Sequence, residues 1–206
     1  MLAYHVHDAL DQVRRMQEII LTRRSFRGYN GKARIAGSAL ALTGALILNQ
    51  KWFPATENAH LLGWMTVLGL ALTINYGALM IWFLFNKSVQ RNAAMLVPAV
   101  DALPPLLMSA VFSAAFIAKG EYDLLPGMWM ALFGLAHMAY RQSLPITNYA
   151  VGAFYIISGA FCLLLPGLKF TDPLPMGITF FIGELAGGCI LYRNNKLQEK
   201  ENEHDA

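Results

Sequence analysis

The chain has 206 residues, of which 56% are hydrophobic and 14% charged, with a mean hydropathy of +0.41. A soluble domain of this size carries roughly 25% charged residues, so this composition excludes a mostly water-facing surface, and the long apolar runs point to an integral membrane protein. The net charge of +3 is small, and its placement matters more: Arg14, Arg15, Arg23, Arg24, Arg27, Lys32 and Arg34 crowd the start of the chain. Orientation signals and anionic-lipid contact account for that cluster without nucleic acid, which is not an expected partner.

Residues 2–24 read as an amphipathic helix. Leu2, Val6, Ala9, Val13, Met16 and Ile20 alternate steps of four and three, an apolar seam with Asp8, Asp11, Arg15 and Glu18 off it. A seam of about three heptads makes a weak free-standing coiled coil. It suits docking on the bundle, pairing with a second copy or another protein, or lying on lipid headgroups. The segment SFRGYNGK, with Gly28, Asn30 and Gly31, ends it. Residues 1–31 are therefore a cytoplasmic helix and linker, 32–194 a transmembrane domain, and 195–206 a charged tail.

Six apolar spans follow, at 35–49, 61–85, 98–118, 125–140, 147–165 and 174–192. Most approach or exceed the roughly 20 residues that cross a 30 Å hydrocarbon core. The expected fold is an all-α bundle of six transmembrane helices. Short connections leave no room for a soluble domain between spans. The second connection carries Lys87 and Arg91, the fourth Arg141, and the C-terminal tail Arg193, Lys196 and Lys200, whereas the odd connections carry one Lys each. That alternation places both termini in the cytoplasm, in a plasma membrane or bacterial inner membrane, with Trp52, Trp64, Tyr122 and Trp129 as anchors at the outer interface.

The spans group as hairpins over 33–87, 96–142 and 146–194. The second members of the last two open alike, as LPGMWMALFG to Gly134 and LPMGITFFIG to Gly183, and a Tyr-Arg pair closes each. This suggests a hairpin repeated in parallel sense. Small residues recur at i+4 in Gly37, Ala41 and Ala45, in Ser109 and Ser113, and in Gly183 and Gly187. Such faces let helices approach closely, chiefly inside the bundle.

An ionisable group inside a span costs roughly 2.5–3.5 kcal/mol on insertion, so each needs a partner or a purpose. Glu184 lies about nine residues, or ~13 Å of helical rise, before Arg193; it reads as a proton carrier or ligand contact, or as a hydrogen-bonded packing residue. His137 suits metal or haem ligation or proton shuttling, or a bond to a neighbouring helix. Asp101, ahead of Pro104 and Pro105, reads as a helix N-cap. Asn75 reads as an interhelical hydrogen-bonding group. Asp101, His137 and Glu184 fall in the cytoplasmic half, where they could form one polar pocket.

Cys162 and Cys189 lie in separate spans at different depths and read as packing residues. No zinc, P-loop, nucleophile-elbow or dinucleotide pattern is present, so no metal, cofactor or catalytic residue is predicted. The leading expectation is a non-enzymatic membrane assembly component acting through its N-terminal helix. The alternatives are a small proton-coupled transporter or channel built on Glu184 and His137, and a membrane enzyme pairing Asp101 with Glu184.

Overall fold

The computed structural model describes residues 12–13, 30–85, 100, 103–139 and 145–204, with side chains to 197. The expected N-terminal seam falls on residues outside this set, except Val13, which is helical and exposed. Asp101 also lies outside it.

The described chain is helical, without strands: α1 Gly31–Leu48, α2 Glu57–Phe85, α3 Leu103–Lys119, α4 Leu125–Ala139, α5 Asn148–Leu164 and α6 Leu174–His204. Local chemistry sets the ends. The Asn30 side chain caps α1 by accepting the Lys32 N–H at 2.9 Å. α3 ends in a Schellman turn: Gly120 has φ of 75°, its N–H donates to Ile117 O, and the Glu121 N–H reaches back to Phe116 O. Pro126 and Pro175 sit in the first turns of α4 and α6, where a missing N–H costs no intrahelical bond. Three helices, α1, α2 and Leu174–Leu197 of α6, are long and apolar enough to cross a membrane.

Glycines decide which helices touch. α4 and α5 are antiparallel and meet backbone to backbone. A methyl group on Gly134 would stand 2.6 Å from Gly152 O, and one on Gly159 would stand 2.6 Å from Gly127 O and 2.7 Å from Ala131 N. α1 and α6 meet the same way, since a methyl on Gly31 would lie 2.6 Å from Gly188 O, and Gly177 abuts Ala45. These two pairs carry the most extensive contacts, and α5 and α6 join them more sparingly. The tightest pairings thus run between the expected hairpins rather than within them, because the glycines of α4 face those of α5.

α2 packs on α1 and α3 on α4, both from outside. Ser109 and Ser113 point at α4, where Ser113 Oγ accepts the Trp129 indole N–H at 2.7 Å. α3 has no buried residue, and α2 buries only His60, Trp64 and Leu79. Leu62, Leu68, Leu70, Leu72, Ile81 and Phe85 leave a long apolar face of α2 bare.

At one end of the bundle an aromatic core gathers Trp64, Phe170, Leu125, Met128 and Leu48, with Phe53, Tyr122 and Trp129 against it. The Asp123 carboxylate accepts the Phe170 N–H at 2.7 Å, tying the start of α4 to the loop before α6. Trp64, expected as an interface anchor, is buried in this core instead, one turn after the buried His60. α6 also runs past the expected end of its apolar span at 192, through the charged tail to His204.

Gly159→Leu is expected to loosen the α4–α5 pair and cost about 1–3 kcal/mol, as overpacking does. Gly77→Ala, where a methyl meets nothing within 4 Å, is expected to be neutral or stabilising. Thermal unfolding of the two purified variants in mild detergent checks the contrast.

Candidate functional site

The opposite end holds a polar cluster between the α1/α6 pair and the α4/α5 pair. Arg34 enters it three residues into α1 and is 7% exposed. Its Nε donates to Glu184 Oε2 at 2.9 Å and its Nη2 to Glu184 Oε1 at 3.1 Å, a two-pronged grip on the carboxylate. Nη1 donates to Asn148 Oδ1 at 3.0 Å, from the first residue of α5. Nη2 also donates to His137 Nε2, on the last turn of α4. The Tyr155 hydroxyl, fully buried on α5, donates to Glu184 Oε1 at 3.1 Å.

These bonds fix the state of the histidine. His137 Nδ1 lies 2.9 Å from the Phe133 carbonyl, which only accepts, so Nδ1 carries the proton. Nε2 then offers its lone pair to Arg34, and the imidazole is neutral. Arg34 and Glu184 cancel each other's charge, and His137, Tyr155 and Asn148 add none. His137 Nε2 also stands 3.7 Å from Glu184 Oε1. Three rings pack beside the group: Phe133, Tyr155 and Phe180 lie with centroids 5.1 to 5.3 Å apart.

α6 makes the room. A methyl on Gly187 would come within 2.5 Å of the Arg34 guanidinium, and one on Gly183 within 2.6 Å of the Tyr155 hydroxyl. The two small residues on this face accommodate side chains from α1 and α5 rather than a helix backbone. One atom is left over. Asn148 is 1% exposed, and its Nδ2 has no hydrogen-bond partner.

Of the four expected pocket residues, Glu184 and His137 meet here. Asn75 does not join them; its amide donates to Ala71 O of its own helix at 2.9 Å, beside Gly37 of α1. Asp101 is outside the described residues. Arg34, Asn148 and Tyr155 are cluster members that the apolar pattern alone does not single out, though their spacing carries a trace. Arg34, Ser38, Ala41 and Ala45 follow steps of four, three and four along the buried face of α1. Asn148, Gly152, Tyr155 and Gly159 do the same on α5.

No match is found among protein-family models, curated proteins or solved structures. The chemistry of the cluster must therefore be read from its own atoms. Among the described residues, no three His, Cys, Asp or Glu side chains gather to hold a metal ion. Both carboxylate oxygens of Glu184 are engaged, so in this arrangement it is not poised as a catalytic base. A single proton on Glu184 would remove its negative charge and weaken its two charge-assisted bonds to Arg34.

Arg34→Met is expected to cost about 3–5 kcal/mol, as stranding one partner of a buried pair does, and Glu184→Met a similar amount. The double variant should lose less than either alone. Thermal unfolding of the three variants and the parent gives the coupling.

Proposed function

We propose that this is an integral membrane protein of six spans with both termini in the cytoplasm, and that the Arg34–Glu184–His137–Tyr155–Asn148 cluster is the proton-linked site of a small secondary transporter. One observation carries the reading: four titratable side chains, from α1, α4, α5 and α6, converge with cancelled charge where two tightly packed helix pairs meet. Ionisable groups at membrane depth are costly, pair with one another and commonly mark substrate and proton pathways.

The membrane assignment rests on the bare apolar faces of α2 and α3 and on the alternating basic connections. The α1 start, α4 end, α5 start and the Glu184 level of α6 all lie at one end of the bundle, as alternating spans require, and that end is the cytoplasmic one by charge. Motion between halves suits the packing. Within each pair the backbones touch through glycines, whereas between the pairs the contacts are sparser and made by side chains, the polar cluster at one end and the apolar core at the other. Rocking of α1/α6 against α4/α5 would open the cluster without breaking either pair.

A second reading has its own support. Most of α2 is exposed and apolar, and a partner or a second copy would cover it as well as lipid does. The protein would then be a membrane assembly component, with the N-terminal seam as a cytoplasmic contact. The enzyme reading has no comparable observation behind it.

Two experiments test the proposal. With Cys162 and Cys189 replaced by Ala, Lys51→Cys is expected to react with an impermeant maleimide in intact cells, and Lys196→Cys only after permeabilisation; the reverse pattern removes the orientation. In liposomes, the wild-type protein is expected to move protons when a gradient of its solute is imposed, and Glu184→Gln to reduce this to the level of empty liposomes. Wild-type protein that stays silent across neutral, cationic and anionic solutes overturns the transport reading and leaves assembly.

A further inference from the structure

The cluster also contains information about what it would carry, if the transport reading holds. We infer that the Arg34 fork is the docking point for a small monocarboxylate, which takes the place of the Glu184 side chain when Glu184 is protonated.

The first ground is shape. Arg34 presents Nε and Nη2 side by side, and a carboxylate already occupies them at 2.9 and 3.1 Å. A guanidinium fork matches a planar two-oxygen anion and discriminates against round or singly accepting groups. Glu184 is a tethered example of the ligand the fork fits.

The second ground is charge. The groups facing Glu184 are Arg34 from α1, His137 from α4 and Tyr155 from α5; α2 and α3 bring it no titratable partner among the described residues. Protonating Glu184 raises the charge of the cluster by one in a low-dielectric setting, where a change of charge is costly. One monoanion restores the original balance, and a dianion overshoots it. Proton and anion therefore enter together and leave together, one of each, and the cycle moves no net charge.

The third ground is the spare donor. Asn148 Nδ2 is buried without a partner, and it belongs to the amide whose oxygen holds Arg34 Nη1. An orphaned buried N–H of this kind costs roughly 1–3 kcal/mol, and an incoming anion beside Arg34 would satisfy it. The Tyr155 hydroxyl, which donates to Glu184 Oε1, can transfer its bond to the same anion. The packed rings of Phe133, Tyr155 and Phe180 favour a short, apolar body behind the carboxylate.

The probe is lactate, with lactamide as its uncharged counterpart of the same shape, added to the purified full chain in detergent. Lactate binding to the wild-type protein is expected to tighten by up to about tenfold for each unit that the pH falls, since one proton is taken up per anion. Glu184→Gln, which imitates the protonated acid, is expected to bind lactate at least about tenfold more tightly than wild type at neutral pH and to lose the pH dependence. Arg34→Gln should abolish binding. Lactamide binding as well as lactate, or lactate binding that ignores both pH and Glu184→Gln, overturns the inference. If Glu184→Gln does not fold, the pH dependence of the wild type decides alone.

Proteoliposomes separate this from the reading beneath it. Proton movement driven by lactate, insensitive to membrane potential and absent with lactamide, supports both. Proton movement driven only by solutes without a carboxylate keeps the transporter and removes the monocarboxylate. No protein-dependent movement with any solute, together with no lactate binding, removes both.

Discussion

Everything at the polar end of the bundle follows from placing one guanidinium among apolar helices. Arg34 cannot shed its charge, and a buried Arg needs an anion and acceptors for its N–H groups. Each neighbouring helix meets part of that demand: α6 gives the carboxylate, α5 an amide oxygen and α4 an imidazole lone pair. The requirement also fixes the tautomer of His137 and explains why α6 carries glycine where Arg34 and Tyr155 press against it. The helices do not simply meet and then acquire a polar contact. Their relative heights are set by the few positions at which all these bonds close together.

The packing divides into strong and weak seams. In two antiparallel pairs the helices approach so closely that a methyl group would not fit between them. Between the pairs contact is sparser, polar at one end and made by apolar and aromatic side chains elsewhere. At the far end, the Asp123–Phe170 bond and the aromatic core hold the loops together. The molecule is therefore closed by dispersion at one end and by charge at the other, and only the second kind of closure answers to a proton or an anion.

Much of the helical layout was legible in the sequence. The fourth helix begins where the apolar run at 125–140 does, and the fifth begins and ends within a residue of the run at 147–165, because Pro and turn residues bracket them. The first begins at Gly31 rather than 35, since a run of basic residues reads as a solvated tail. That one boundary hid Arg34 from the list of buried groups. Glu184 and His137 stood out because an ionisable residue in an apolar run is conspicuous by itself. Asn148 and Tyr155 did not, because a polar residue at a helix start and a tyrosine in a span each have ordinary roles. Helix pairing was less legible still: the glycines that decide it are small residues in a sequence full of them, and which ones face each other depends on rotation about each axis.

The pairing of α1 with α6 bears on how the chain is made. Arg34 and Glu184 are separated by 150 residues, so the guanidinium exists long before its counter-ion. At about 5–20 residues per second that interval is on the order of ten to thirty seconds. On the membrane reading, the first helix keeps its Arg near the headgroups, or waits half-inserted, until α4 and α5 arrive with His137 and Asn148 and the last helix brings the carboxylate. The final helix is then more than the sixth element of a bundle. Its synthesis supplies the counter-ion that lets Arg34 be buried, and a ribosome that stopped before α6 would leave a chain whose earliest helix had nowhere to settle.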